Sequence, residues 1–319
     1  MALSRRACHG QGGDVRTSAD ARMRDQIRAE WETGPLVRVR EATADDAGEA
    51  GRICYEAFAR LADRHGFAHD FPTVEAATVP IRWMTRHHGF YGVVAEAGSR
   101  VVGSSFMDER GVIFGIGPVS VDPATQDRGT GHLLMDAMFA RAAGKGAVGV
   151  RLLQLAYHNR SLSLYAKLGM DVRGTYAAMY GDPIRLALPG YAVRTATLVD
   201  APACDALCLR VHGHTRTVEL AEAIADGKAL VIERLGRVTG YSTGVNYFSH
   251  AVAETSDDLR ALIGATADYG RPGFLVPLAD GELFRWCLLH GLRVFFVLNM
   301  MTMGLYQEPH GAFMPSVGY

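Results

Sequence analysis

The feature that most constrains this chain is a weak internal repeat. Val39-Arg40-Glu41-Ala42-Thr43-Ala44-Asp45-Asp46-Ala47 recurs as Val193-Arg194-Thr195-Ala196-Thr197-Leu198-Val199-Asp200-Ala201. In each copy a short strand runs into a Thr or Asp suited to cap a following helix. Val93-Val94-Ala95-Glu96 through Gly103 is matched by Leu230-Val231-Ile232-Glu233 through Gly240, each read as strand, Gly-containing turn and strand. Tyr165-Ala166-Lys167-Leu168-Gly169 is matched by Cys287-Leu288-Leu289-His290-Gly291, each a helix end stopped by Gly. Three matches in one order predict two related units, with a boundary near 182–190 where Pro183, Pro189 and Gly190 interrupt the pattern.

In the first copy the patterning predicts a strand over 36–42, a helix over 44–64, and a loop and helix over 65–88. A hairpin over 91–107, a strand over 112–121 and a helix over 129–143 follow. A strand over 147–155, a helix over 161–168 and a strand over 170–180 complete it. Such alternation predicts an α/β (α+β) fold, a mixed, mostly antiparallel sheet flanked by helices. The second copy has the same order in less space.

Apolar residues make up 48% of the 319 positions, enough for a core in each half. With 33 Lys and Arg against 34 Asp and Glu, and no long basic stretch, nucleic acid is not an expected partner. No apolar run reaches membrane-spanning length, so no membrane partner is expected either. The five cysteines, Cys8, Cys54, Cys204, Cys208 and Cys287, show neither a paired framework nor a metal-ligand set. They read as reduced core thiols of a cytoplasmic protein, with no metal expected. Residues 1–34 are polar and lack the apolar segment of a secretory signal. They read as a disordered tail with a short helix over 19–31.

The chemistry concentrates in Ile116-Gly117-Pro118-Val119-Ser120-Val121-Asp122-Pro123-Ala124-Thr125-Gln126-Asp127-Arg128-Gly129-Thr130-Gly131. An apolar strand leads through a Pro turn into Gly-punctuated backbone that opens a helix continuing from His132. The first N–H groups of a helix have no intrahelical partner, and with the helix dipole they favour an anion. Gly129 and Gly131 would let a phosphate approach the main chain. Taken alone, Gly-x-Gly at a helix start is equally a turn with two small residues. It is neither a Rossmann fingerprint nor a Walker A loop, because the third Gly with its downstream acid, and the Gly-Lys-Ser/Thr, are missing.

Gln126-Asp127-Arg128-Gly129-Thr130-Gly131 resembles the Gln/Arg-x-x-Gly-x-Gly/Ala signature of the GNAT superfamily of N-acetyltransferases. Asn159-Arg160-Ser161-Leu162-Ser163-Leu164-Tyr165-Ala166-Lys167-Leu168-Gly169-Met170 resembles that family's next helix, with Met170 in the usual Phe place. The resemblance is good over 36–180 and faint beyond. It implies two tandem GNAT-like domains, a catalytic one at 35–183 and a degenerate one at 190–319. It also implies acetyl-CoA as acyl donor, held by Val119, Ser120, Val121, Gln126, Asp127, Arg128, Gly129, Thr130, Gly131, His132 and Asn159. A backbone N–H at Val119 or Ser120 would polarise the thioester carbonyl, and Pro118 just before it is consistent with a bulge.

By the same resemblance Tyr165 is the general acid that protonates the departing thiolate. Leu162, Tyr165 and Leu168 also form an apolar stripe, so Tyr165 is equally readable as core. Asn159 either caps its helix or holds the CoA arm. The general base is not readable: His65, Asp70, His87 and His88 are candidates, and a water relay serves as well. Tyr55, Phe58, Phe67 and Phe71 either line an acceptor pocket or simply pack.

In the second copy the cradle position reads Ala251-Val252-Ala253-Glu254-Thr255-Ser256-Asp257-Asp258-Leu259-Arg260, with no Gly and three carboxylates. The position of Tyr165 holds Cys287, so CoA binding is not expected there. The expected activity is acetyl transfer from acetyl-CoA to the amine of a small molecule, by direct attack in a ternary complex, in a monomer or homodimer. The alternatives are a protein or peptide N-acetyltransferase and a non-catalytic acyl-CoA-binding module.

Overall fold

The computed structural model describes residues 36–318. The tail expected over 1–34, its helix at 19–31 and Cys8 lie outside the described residues. The first copy runs β1 (Val37–Glu41), a 3-10 turn at Ala44–Asp46, α1 (Ala47–His65), α2 (Val74–Met84), β2 (Phe90–Ala97), β3 (Arg100–Asp108) and β4 (Ile113–Val121). It continues with α3 (Thr130–Gly144), β5 (Gly149–Leu155), α4 (Asn159–Lys167) and β6 (Asp171–Tyr180). The second has β7 (Ala192–Thr195), α5 (Ala201–His212), α6 (Thr217–Ala225), β8 (Leu230–Arg234), β9 (Arg237–Ser242) and β10 (Ala251–Ala253). It ends with α7 (Ser256–Ala265), β11 (Phe274–Pro277), α8 (Gly281–Leu289), β12 (Arg293–Gly304) and β13 (Ala312–Met314). Every element expected in the first copy forms within a few residues of its predicted place.

The repeat extends to hydrogen bonds. Arg40 clasps Asp46 through two bonds of 2.8 Å and reaches Glu96 at 3.0 Å from Nε. Arg194 clasps Asp200 at 2.8 and 2.7 Å and reaches Glu233 at 3.0 Å, also from Nε. Each Asp also accepts the backbone N–H of the Thr three residues earlier, Thr43 at 2.7 Å and Thr197 at 2.8 Å. One arginine fork thus ties a strand, a helix entry and the neighbouring hairpin together in both copies.

The sheets do not follow the two copies. The larger has the order β1-β2-β3-β4-β5-β12-β6-β11, and the smaller β13-β10-β9-β8-β7. Strand β12, from the second copy, runs antiparallel between β5 and β6, with Met301 opposite Leu152 and Leu298 opposite both Leu155 and Tyr176. Strand β11 extends the sheet beyond β6, Phe274 facing Met179. One core cluster joins Ala177 and Met179 to Leu259, Leu262, Phe274 and Leu283, and another joins Met301 to Leu134, Met138 and Tyr165. The halves therefore share a core. The four described cysteines are buried free thiols. No helix among the described residues is long and apolar enough to cross a membrane.

Candidate active site

The site begins where β4 leaves β5. The two strands pair in parallel only at Ile113–Gly149, Phe114–Val150 and Gly115–Arg151. Beyond that, β4 stays with β3 while β5 stays with β12, and a gap opens between them. The β3–β4 register slips between Met107–Ile116 and Ser105–Val119, which places a bulge at Gly117-Pro118. Pro118 has no N–H to give to a ladder.

Past the bulge, the phase of the ladder decides which groups face the gap. Asp122 donates its N–H to Val102 at 2.9 Å. Hydrogen-bonded pairs alternate along an antiparallel ladder, so Ser120 bonds across to Ser104. Val119 and Val121 then direct N–H and C=O the other way, toward the gap. The Val121 carbonyl accepts the Gln126 side-chain amide at 3.2 Å. Ser120 is 2% exposed, and its hydroxyl meets Ser104 at 3.2 Å and the Cys54 thiol of α1. Of the two expected carbonyl donors, Val119 faces the gap and Ser120 faces away.

The loop to α3 is held by its own side chains. Asp122 Oδ1 accepts from the Ala124 N–H at 2.8 Å, and its carbonyl accepts from the Thr125 N–H at 2.8 Å. Asp127 has φ 69°, and Gly129, the N-cap of α3, has φ 78°. Both lie in the left-handed region, where Gly is unstrained and Asp is tolerated. The Leu133 N–H reaches the Gly129 carbonyl at 3.1 Å. The N–H groups of Thr130, Gly131 and His132 precede it and have no acceptor within the helix. Arg160 of α4 ion-pairs with Asp127 and reaches Gln126 at 3.2 Å, so it offsets the one carboxylate at this helix end. Arg128 and His132 are exposed, and His132 lies 3.3 Å from Asp136. A Cβ at Gly131 would come within 3.3 Å of Leu164, so this Gly lets α3 approach α4. The strand, loop and helix end fit a pyrophosphate followed by an extended arm in the gap.

Tyr165 lies on α4, 7% exposed, in the cluster of Leu134, Met135, Met138 and Met301. Burial raises its phenol above the ordinary range, which keeps it protonated and able to donate. Its helix end repeats in α8: Tyr165 accepts from Met170 at 3.0 Å, as Cys287 accepts from Leu292 at 3.1 Å. Asn159 is the exposed first residue of α4, and the N-cap position is held by His158. The capping alternative for Asn159 therefore falls, since its side chain is one position late for that bond.

The base candidates separate in space. His87 lies 3.2 Å from Glu222 of α6 and stacks on His88, beside the start of β2. Phe90 of β2 faces Asp108, which faces Gly115, so this is the closed end of the β4–β5 pair. His65 and Asp70 lie at the open end. His65 sits 5.4 Å from the Tyr157 ring, and Asp70 influences Cys54, Tyr157 and Tyr247. Burial drives the Asp70 carboxyl up to about 7. Phe58 meets Phe71 edge-on at 6.4 Å, Tyr55 meets His69 edge-on at 6.2 Å, and Phe67 stacks on Tyr157 at 4.3 Å. Tyr247, from the second copy, gave no signal in the sequence because it stands in an irregular loop far along the chain.

At the matching place in the second copy, Thr255 caps α7 with a reciprocal bond to Asp258, which is fully buried and also bonded by Thr239 at 2.6 Å. Glu254 is taken by Arg237 at 2.5 and 2.7 Å. That helix end is already satisfied by carboxylates of the chain.

Residues 86–169 match a protein family described as an acetyltransferase (GNAT) domain. No curated protein matches the chain. Among solved structures, a putative acetyltransferase from Pyrococcus horikoshii is similar over 86% of this chain and 94% of its own, at 15% identity and TM-score 0.64. A GCN5-related N-acetyltransferase from Sphaerobacter thermophilus is similar over 85% and 96%, at 14% identity and TM-score 0.54. A tandem GNAT protein from the clavulanic acid biosynthesis pathway is similar over 84% and 98%, at 15% identity and TM-score 0.51. The chain carries a GNAT acetyltransferase domain match at 86–169 and shares the fold of these structures, a tandem GNAT protein among them, over most of its length.

Proposed function

We propose that this protein transfers the acetyl group of acetyl-CoA to the amine of a small molecule, by direct attack in a ternary complex. The observation that carries the reading is the parting of β4 from β5 beside an α3 N-terminus whose first N–H groups are free of the helix ladder. Gln126, Asp127, Arg128, Gly129, Thr130, Gly131 and His132 would hold the pyrophosphate, largely through backbone N–H groups. Val119 and Val121 would pair with the pantetheine arm as an added strand does. The Val119 N–H would polarise the thioester carbonyl, a kind of contact worth ~3–4 kcal/mol in a transition state. Asn159, first residue of α4 and neighbour of the Arg160 that reaches Gln126, would hold the CoA arm.

As the amine attacks, the N–C bond forms and the C–S bond breaks, leaving the electron pair on sulfur. Tyr165 would supply the proton to that thiolate. The second copy would support this site through β12 while binding no CoA itself. A non-catalytic acyl-CoA-binding role has one observation in its favour, the 7% exposure of Tyr165 within an apolar cluster. Thiol release from acetyl-CoA mixed with amine panels separates the two. Release that depends on an amine supports transfer, and tight acetyl-CoA binding without release supports the silent module.

A further inference from the structure

The open end of the gap holds two buried polar atoms without a hydrogen-bond partner among the described residues, Asp70 Oδ1 and the Tyr157 hydroxyl. Asp70 follows α1 in the loop to α2, and Tyr157 follows β5. Cys54 of α1 is close enough to feel both Asp70 and Ser120 of β4, the neighbour of Val119. Aromatic rings wall the same place. Phe67 covers Tyr157, Phe58 packs with Tyr157 against one cluster, and Tyr247 and Phe296 of the second copy belong to that cluster, 5.9 Å apart. Orphaned polar atoms inside an aromatic wall are costly unless a ligand meets them.

We propose that Asp70 is the proton acceptor for the attacking amine, and that the acceptor is a primary amine carried on an aromatic or apolar body. This rests on the acetyl-transfer reading above. The ammonium group would meet Asp70 Oδ1 while its apolar body lies against Tyr157, Tyr247 and Phe58. The Asp70 carboxylate removes one proton from the ammonium, and the freed lone pair forms the N–C bond to the thioester carbonyl. The C–S bond breaks, Tyr165 gives its proton to the departing sulfur, the second surplus proton of the nitrogen passes through solvent to restore the Tyr165 phenol, and Asp70 returns its own proton to solvent. Burial supports the assignment, because a carboxyl lifted to about 7 exchanges a proton near neutral pH. The groups that face it are His69 on its own loop, Cys54 from α1, Tyr157 from the turn after β5, and Tyr247 from the second copy. His65 of α1 lies against Tyr157, and burial holds the neighbouring His158 down to about 4.

The test compares the full-length protein with Asp70→Asn, using acetyl-CoA and a panel of primary amines that includes 2-phenylethylamine and spermidine. The parent should show kcat/KM rising through pH 7 and should prefer 2-phenylethylamine. Asp70→Asn should lose roughly 100-fold in kcat/KM and the limb near pH 7, with acetyl-CoA affinity unchanged by calorimetry. A raised carboxyl costs stability as pH climbs from its unfolded value toward its folded one. Asp70→Asn should therefore melt above the parent at pH 8 and with it at low pH. A variant that keeps the parent's rate and pH profile overturns the assignment and leaves acetyl transfer standing. A parent that releases no thiol with any amine overturns acetyl transfer itself and this inference with it, and that failure is visible before any variant is made.

Discussion

Met301 of β12 lies opposite Leu152 of β5 and shares the buried cluster that holds Tyr165. A residue from the second copy thus supports the face on which the first copy's candidate acid stands. Met301→Ala should cost about 2–5 kcal/mol, as large-to-small changes in buried cores do. Removing residues 184–319 should leave no folded first unit, because β5 and β6 lose the strand between them. Circular dichroism and size exclusion would check both. A soluble, two-state 36–183 fragment that binds acetyl-CoA would contradict the shared core.

Gly129→Asp imitates what the second copy does at its own helix end. Asp tolerates the left-handed region and suits a helix N-terminus, so the fold should hold. Its carboxylate would occupy the anion position, and acetyl-CoA affinity by calorimetry should fall at least roughly tenfold, about 1.4 kcal/mol. Glu254→Gln, in the clasp with Arg237, should leave that affinity alone.

Tyr165→Phe keeps the ring in its cluster, so stability should change by no more than about 1 kcal/mol. Turnover should drop roughly 100-fold or more, with little change in the KM for acetyl-CoA, if the phenol protonates the thiolate. Steady-state kinetics on the true acceptor reads this directly. An undiminished turnover number would make Tyr165 a packing residue.

Asp46 is held down to about 2 by the Arg40 fork and by bonds from Thr43. A depressed carboxyl stabilises the fold fully above its unfolded value near about 4, and that contribution is lost as pH falls toward about 2. Asp46→Asn should therefore cost on the order of 2 kcal/mol at pH 7, and the gap to the parent should close in acid. Urea titrations at pH 7 and pH 3 would check the sign. A deficit that is equal at both would assign the loss to altered hydrogen bonding alone.

Local signals were enough for the elements of the first copy and for the turn that opens α3. The Arg40–Asp46 and Arg194–Asp200 clasps are visible as a repeated spacing, because a strand-to-helix corner needs its cap within a few residues. The helix opened by Gly129 is legible for the same reason: left-handed backbone and orphaned N–H groups are properties of adjacent residues. Which of Val119 and Ser120 faces the gap could not be read, since the phase of a ladder is set by its partner strand. Nor does the sequence show that β12 belongs between β5 and β6, or that Asp70 stands with Tyr157 and Tyr247 while His87 goes to the other end of the sheet. These are pairings across long stretches of chain. They are decided by which exposed strand edge and apolar face a distant segment can bury, and only the folded sheet supplies that edge.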